Sequence, residues 1–268
     1  MKNKLGRFPT PKQHGAWAMF LIPALTAMVI LNNVNLLPIA MLTGFVLIFL
    51  SYQPASDFLR RYKNKAVVNA SSLWWVFVLG GGGAAIIVFL VGWTSQWGIL
   101  LFGGVIILAL NTHLWLTKNK EHMTVFGELF GVAGLTASAP VMYIYLNGNL
   151  DLQGWVLWAI TFLYFGGSVF YVKQMLRPST QRKFGLSLPL RLLAYNGFVL
   201  VSLSLLTLFG WVSAWVFLAF FPYVVKSLLT VNSKRGKPRL KPRQVGFLEL
   251  AHSFYFFIVA TAVFIIAG

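Results

Sequence analysis

The chain has 268 residues, of which 58% are hydrophobic and only 10% charged, against about a quarter charged in an average soluble domain. That balance excludes an ordinary soluble fold, and the absence of cysteine excludes disulfides, thiolate nucleophiles and cysteine metal sites. A net charge of +17 would point to nucleic acid in a soluble protein, but here the basic residues flank long apolar runs, so membrane lipids with anionic headgroups are the expected partners and nucleic acid is not.

A helix rises about 1.5 Å per residue, so about 20 apolar residues cross a hydrocarbon core of about 30 Å. On that length the sequence predicts an all-α polytopic helical bundle of nine transmembrane helices, with residues 1–268 as a single integral membrane domain. The spans are Gly15–Val34, Leu36–Tyr52, Ser71–Gly92, Trp97–Leu116, Thr124–Leu146, Leu152–Leu176, Leu190–Phe209, Gly210–Leu229 and Val245–Gly268. The start, MKNKLGRFPTPKQHGAW, is basic, and no small-residue cleavage site follows the first apolar run, so it reads as a signal-anchor helix that stays attached. Asn32, Asn33, Asn35 and Pro38 mark the first hairpin, because amides and proline suit a tight interfacial turn. The 40-residue run Leu190–Leu229 is about twice too long for one span and must fold back, with Gly210-Trp211 as the turn. Gly80-Gly81-Gly82-Gly83 in the third span suits close helix contact or local unwinding.

With these spans all 22 lysines and arginines fall on one side: the N-terminal segment, the even-numbered loops and the span ends beside them. Basic residues hold a loop in the cytoplasm, so the N-terminus is expected inside and the C-terminus outside. The longer, polar loops are on that side too: Gln53–Ala70, Thr117–Met123, Arg177–Pro189 and Thr230–Gln244.

Ionisable groups within the spans are the candidate site residues, because they are costly in lipid. His14 opens the first helix, Asp57 follows the second, and Asn111 is near the inner end of the fourth. Lys120, His122 and Thr124 lead into the fifth helix, and Glu128 is its deepest acid, about one turn inside. Tyr171, Lys173, Gln174 and Arg177 end the sixth helix, Tyr223 and Lys226 the eighth, and Glu249 and His252 begin the ninth. These positions have similar depth and form a convergent polar cup at the inner leaflet. A carboxylate such as Glu128 needs a partner there or a lowered charge. Glu249 is equally a cap favoured by the helix dipole, and Lys173 and Arg177 equally snorkel to set topology. The four histidines lack a ligand spacing such as HxxxH, so no metal site is expected.

The string PKQHGAWAMFLIPAL resembles the opening of the YwiC-like family of bacterial membrane proteins, and GELFGVAGLTASAP is similar to that family as well. The resemblance implies the bacterial cytoplasmic membrane. Helix count, inner N-terminus and polar even loops also look like the UbiA superfamily of intramembrane prenyltransferases. NKEHMTVFGELFG occupies the position of that superfamily's Lys-Arg-x-Thr-like segment, with Lys120 and Thr124 as counterparts. LYFGGSVFYVKQMLR occupies its helix-six position, with Tyr171 and Gln174 in register. The pattern departs in its acids: SYQPASDFLRR keeps only Asp57, and Ser168 and Met175 stand where aspartates would be. Mg²⁺ needs hard oxygen ligands, so no Mg²⁺ clamp and no Mg²⁺-dependent release of diphosphate are expected, and no cofactor is identified.

The resulting expectation is a protein that handles a lipid or isoprenoid amphiphile at a cytoplasm-facing polar cavity; as an enzyme it would be a divergent prenyltransferase-like transferase. The alternatives are a transporter or carrier using Glu128 as a proton or cation site, or an accessory protein of a membrane complex.

Overall fold

The computed structural model describes residues 14–63, 70–100, 102–104, 125–176, 188–232 and 242–267. Apart from connecting turns these residues are helical: α1 His14–Ile30, α2 Leu36–Lys63, α3 Ala70–Trp75, a π-helical segment Val76–Gly81, α4 Gly82–Thr94, α5 Val125–Thr136, α6 Ser138–Asn147, α7 Leu152–Leu176, α8 Leu188–Leu208, α9 Val216–Asn232 and α10 Pro242–Ala267. Among them six stretches are long and apolar enough to cross a membrane, and two shorter apolar helices are Gly15–Ile30 and Val216–Thr230. The chain is a polytopic helical membrane bundle. The expected fourth span, Trp97–Leu116, falls largely outside the described residues.

The turns follow local chemistry. Asn32 adopts a left-handed φ of 46°, and the Asn35 side chain accepts the Leu37 N–H at 3.0 Å, capping α2. Gly210, at φ 70°, ends α8, and the Trp211 N–H reaches back to the Leu206 carbonyl at 2.9 Å. The sixth and seventh residues of the following turn are still outside the helix, so α9 begins at Val216 instead of at Gly210. α2 continues to Lys63, eleven residues beyond the expected end at Tyr52, since SYQPASDFLRRYK contains no glycine to stop it. Asp57 is therefore on a helix and not in a loop, a correction to the sequence reading. The expected fifth span is divided at Ala137: Pro140 has no N–H to offer the Thr136 carbonyl, and α5 gives way to α6 there.

The glycine run does both things expected of it. Val76–Gly81 winds as a π-helix, and α2 and α4 meet backbone to backbone through Gly44 and Gly83. A Cβ on Gly83 would lie 2.5 Å from the Gly44 carbonyl oxygen. This hairpin is peripheral, whereas the α7 span is the central post, with 67% of its most apolar window buried. α7 packs on α5, α6, α8 and α9, and α1 lies between α6 and α10. Ser138 ties α6 to α1 by donating to the Phe20 carbonyl at 2.7 Å, one turn before Pro23 interrupts the α1 ladder.

Candidate functional site

Two acids meet two lysines at the basic end of the bundle. Lys226 of α9 and Glu249 of α10 form an ion pair of 2.5 Å, each residue only 7% exposed. Lys173 of α7 pairs with Glu128 of α5 at 2.6 Å; here the glutamate side chain is 30% exposed. α7 serves both pairs, because Tyr171 turns toward α9 and Lys173 toward α5. The Lys226 Nζ lies 4.5 Å over the Tyr171 ring and 5.6 Å from the Tyr223 ring centroid, so the ammonium has π-faces as well as a carboxylate.

Helical spacing produces this convergence. Glu249, Ser253 and Phe256 are i, i+4 and i+7 on the buried face of α10, and Phe220, Tyr223 and Ser227 share a buried stripe on α9. One to two turns deeper, Tyr164 stacks on Phe256 at 4.0 Å between centroids and meets Phe220 edge-on. This aromatic layer closes the bundle core beyond the charge pair. Gly166 and Gly167 of α7 admit the rings that cross it: a Cβ at Gly166 would lie 2.2 Å from the Tyr195 hydroxyl, and one at Gly167 2.3 Å from Tyr223 Cζ. Tyr195 donates its hydroxyl hydrogen to the Leu163 carbonyl at 3.0 Å.

Beside Glu249 a pocket of about 50 Å³ opens between α1, α7 and α10. Gly15, Ser168, Glu249 and Ser253 line it, flanked by Ala18 and Met19. Ser253 donates to the Glu249 main-chain carbonyl at 2.7 Å, while the Ser168 hydroxyl, 3% exposed as a residue, has no hydrogen-bond partner. A larger groove of about 450 Å³ lies toward the opposite end, between α5, α7 and the end of α8, with Trp155, Trp158 and Trp211 in its apolar wall.

Of the sequence candidates, Glu128, Tyr171, Lys173, Tyr223, Lys226 and Glu249 are brought together at this end. Gln174 is one turn from Tyr171, with its Oε1 buried and unpartnered. His252 accompanies Glu249 on α10, its Nδ1 2.8 Å from the Leu248 carbonyl. Asp57 is on α2, whose main neighbours are α3, the π-helical segment, α4 and α6. His14 begins α1, but its side chain, like Asn111, Lys120, His122, Thr124 and Arg177, is outside the described residues. Glu249 is seven residues inside α10 and belongs to an interhelical pair. Among the described residues no three His, Asp or Glu side chains are placed to hold a metal ion.

Sequence reasoning did not single out Ser253 or Asn196. Asn196 is 5% exposed, and neither its amide nitrogen nor its oxygen has a partner. Its signal was an amide on the same helical stripe as the buried Leu192, Val199 and Leu203. Asp151 was also passed over. It caps α7 through the Gly154 N–H at 3.1 Å, and the Tyr143 hydroxyl lies 3.0 Å from it, so its role is structural.

The family described as YwiC-like protein matches residues 10–143, half of the 268 residues. The chain belongs to the YwiC-like family. It is 28% identical over 252 residues to the uncharacterized protein YwiC of Bacillus subtilis strain 168, covering 93% of this chain and 95% of that one. An uncharacterized protein of Haemophilus influenzae is 26% identical over 250 residues, covering 92% and 94% of the two chains. No solved structure matches the chain. In this YwiC-like protein the family-matched half contributes Gly15 and Glu128, while Ser168, Lys173, Lys226 and Glu249 come from the remainder.

Proposed function

We propose that this YwiC-like membrane protein is a proton-linked carrier of a small anion, with its solute site at the basic end between α1, α7, α9 and α10. The observation that carries this reading is the Lys226–Glu249 pair, two ionisable groups each 7% exposed within membrane helices, with a small pocket against the acid. A buried pair gains little stability over a well-packed apolar substitute, and ionisable groups at membrane depth are characteristic of ion and proton pathways. Glu249 takes the role that the sequence reading gave to Glu128, because Glu249 is far more buried and lines the pocket. The concentration of basic residues at one end favours an anionic solute by raising its local concentration. In this reading that end faces the cytoplasm of a bacterial inner membrane, with anionic headgroups against its basic segments and the C-terminus outside.

The test is reconstitution into vesicles with a trapped pH indicator, under imposed gradients of inorganic phosphate and short carboxylates. Solute-dependent proton movement in the native protein, lost in Glu249→Gln, is expected. Movement equal in both proteins would contradict the carrier.

A second reading, handling of a lipid or isoprenoid amphiphile, is favoured by the tryptophan-walled groove of about 450 Å³, which has room for a hydrocarbon chain. The pocket at the charge pair, about 50 Å³, is too small for such a chain. Mass spectrometry of lipids that co-purify with the protein distinguishes the two: a stoichiometric polyprenyl species displaced by Phe162→Trp would favour the amphiphile.

A further inference from the structure

Lys226 has a second partner besides its carboxylate. Its Nζ pairs with Glu249 and also lies 4.5 Å over the Tyr171 ring and 5.6 Å from the Tyr223 ring centroid. Both rings are fixed by packing. Tyr171, 2% exposed, packs with Leu192 of α8 and Val245 of α10. Tyr223 is fully buried and lies so close to α7 that a Cβ on Gly167 would be 2.3 Å from its Cζ. A carboxylate can rotate away from an ammonium, but these rings cannot withdraw without repacking the helices around them. The Glu249 Oε1 is the one acceptor bonded to the Lys226 Nζ among the described residues. A buried ammonium that loses its only counter-charge ordinarily gives up its own charge. A ring face opposes that loss, because its quadrupole attracts a cation most strongly where water is excluded.

We propose that Tyr171 is a positioning residue whose ring keeps the Lys226 ammonium charged and in place while Glu249 is exchanged for a solute anion. Lys226 is then the group that meets the solute, which deepens the carrier reading and rests on it. Tyr223, the more distant ring, has the lesser share. The titratable groups around Lys226 are Glu249 and His252 from α10, Tyr171 from α7 and Tyr223 from its own helix. Behind them Tyr164 of α7 faces Glu249 and Tyr223, and Tyr195 of α8 faces Tyr223.

The experiment follows the Lys226 Nζ by heavy-nitrogen NMR of the full chain in lipid nanodiscs, labelled at lysine, with the resonance identified by its loss in Lys226→Met. Glu249→Gln is the reference, because there the rings are the remaining counter-groups. Adding Tyr171→Phe, which retains a ring, should leave the Lys226 titration within about twofold in proton concentration. Adding Tyr171→Leu should make Lys226 lose its proton at a proton concentration about tenfold higher. Tyr171→Met is a second apolar replacement with the same expectation, for the case that the leucine variant does not fold. A ring that only fills space would change the melting temperature and leave the titration unmoved, and that result would overturn the inference. In vesicles with a phosphate gradient, Tyr171→Phe should behave as native, while Tyr171→Leu should need about tenfold more phosphate for half-maximal proton movement. A native phosphate dependence in Tyr171→Leu would overturn the positioning role and leave the carrier reading standing. Absence of phosphate- or carboxylate-linked proton movement in the native protein, with a ring-dependent Lys226 titration, would instead overturn the carrier reading and the exchange with it.

Discussion

Tyr255 of α10 donates its hydroxyl hydrogen to the Leu218 carbonyl of α9 at 3.1 Å, and Leu218 is four residues before Pro222. Proline has no N–H, so this carbonyl is the one left without its helical donor. In hydrocarbon such a group must be satisfied by a neighbouring element. The bond joins the same two helices that carry Lys226 and Glu249, and it fixes their relation on the side of the pair away from the basic end.

Tyr255→Phe should lower stability by ~1 kcal/mol, in the range of interhelical hydrogen bonds in membranes. Pro222→Ala restores an N–H opposite Leu218 and should make the hydroxyl dispensable. Unfolding free energies of the two single variants and the double variant in nanodiscs check this, with the second substitution costing less in the double variant than the sum of singles. Strict additivity would mean that the hydroxyl does not compensate for the proline.

Gly83→Ala should destabilise by about 1–3 kcal/mol, because the added Cβ meets the Gly44 carbonyl oxygen at 2.5 Å and the Ile48 nitrogen at 3.0 Å, both backbone atoms that cannot rotate away. Gly82→Ala, one residue earlier, meets nothing within 4 Å and should be neutral. Melting temperatures of the two variants compare a close helix contact with an open position on the same segment.

The two charge pairs should respond differently to loss of one partner. Lys226→Met leaves Glu249 buried and unpaired and should cost about 3–5 kcal/mol, whereas Lys226→Met with Glu249→Gln should recover most of that loss. Glu128 is 30% exposed and can be hydrated, so Lys173→Met, which leaves that acid behind, should cost about 1 kcal/mol or less. Denaturant titration in mixed micelles measures both. Equal losses for the two pairs would show that burial does not separate them.

Much of this was legible in the residues, for identifiable reasons. The hairpin at Asn32–Asn35 and the turn at Gly210 follow from backbone conformations that asparagine and glycine tolerate and most residues do not. The depth of Glu128 implied a partner, and Lys173 is that partner. The choice of Lys226 for Glu249 was not legible, since periodicity gives the face of a helix but not the neighbour that it meets. Ser168 was noted only as a missing aspartate; that it lines a pocket depends on where α1 and α10 lie against α7. The extension of α2 past Tyr52 was missed because basic residues were read as loop; the helix carries Pro54 within it and meets no glycine before Lys63.

Orientation has its own test, simplified by the absence of native cysteine. Ser179→Cys and Ser233→Cys should react with an impermeant thiol reagent only from the cytoplasmic side, and Asn149→Cys only from outside, as the one-sided placement of 22 basic residues requires. Labelling of Ser179→Cys from outside would reverse or break the nine-span topology.

The most direct measurement compares solute-linked proton movement in the native protein and in Lys226→Met/Glu249→Gln, a substitution that removes both charges of the buried pair and leaves none unpaired. The two proteins should melt at similar temperatures in nanodiscs, and only the native one should move protons with its solute in vesicles. Full activity in the folded, charge-free double variant would contradict a functional role for the pair and reduce it to packing.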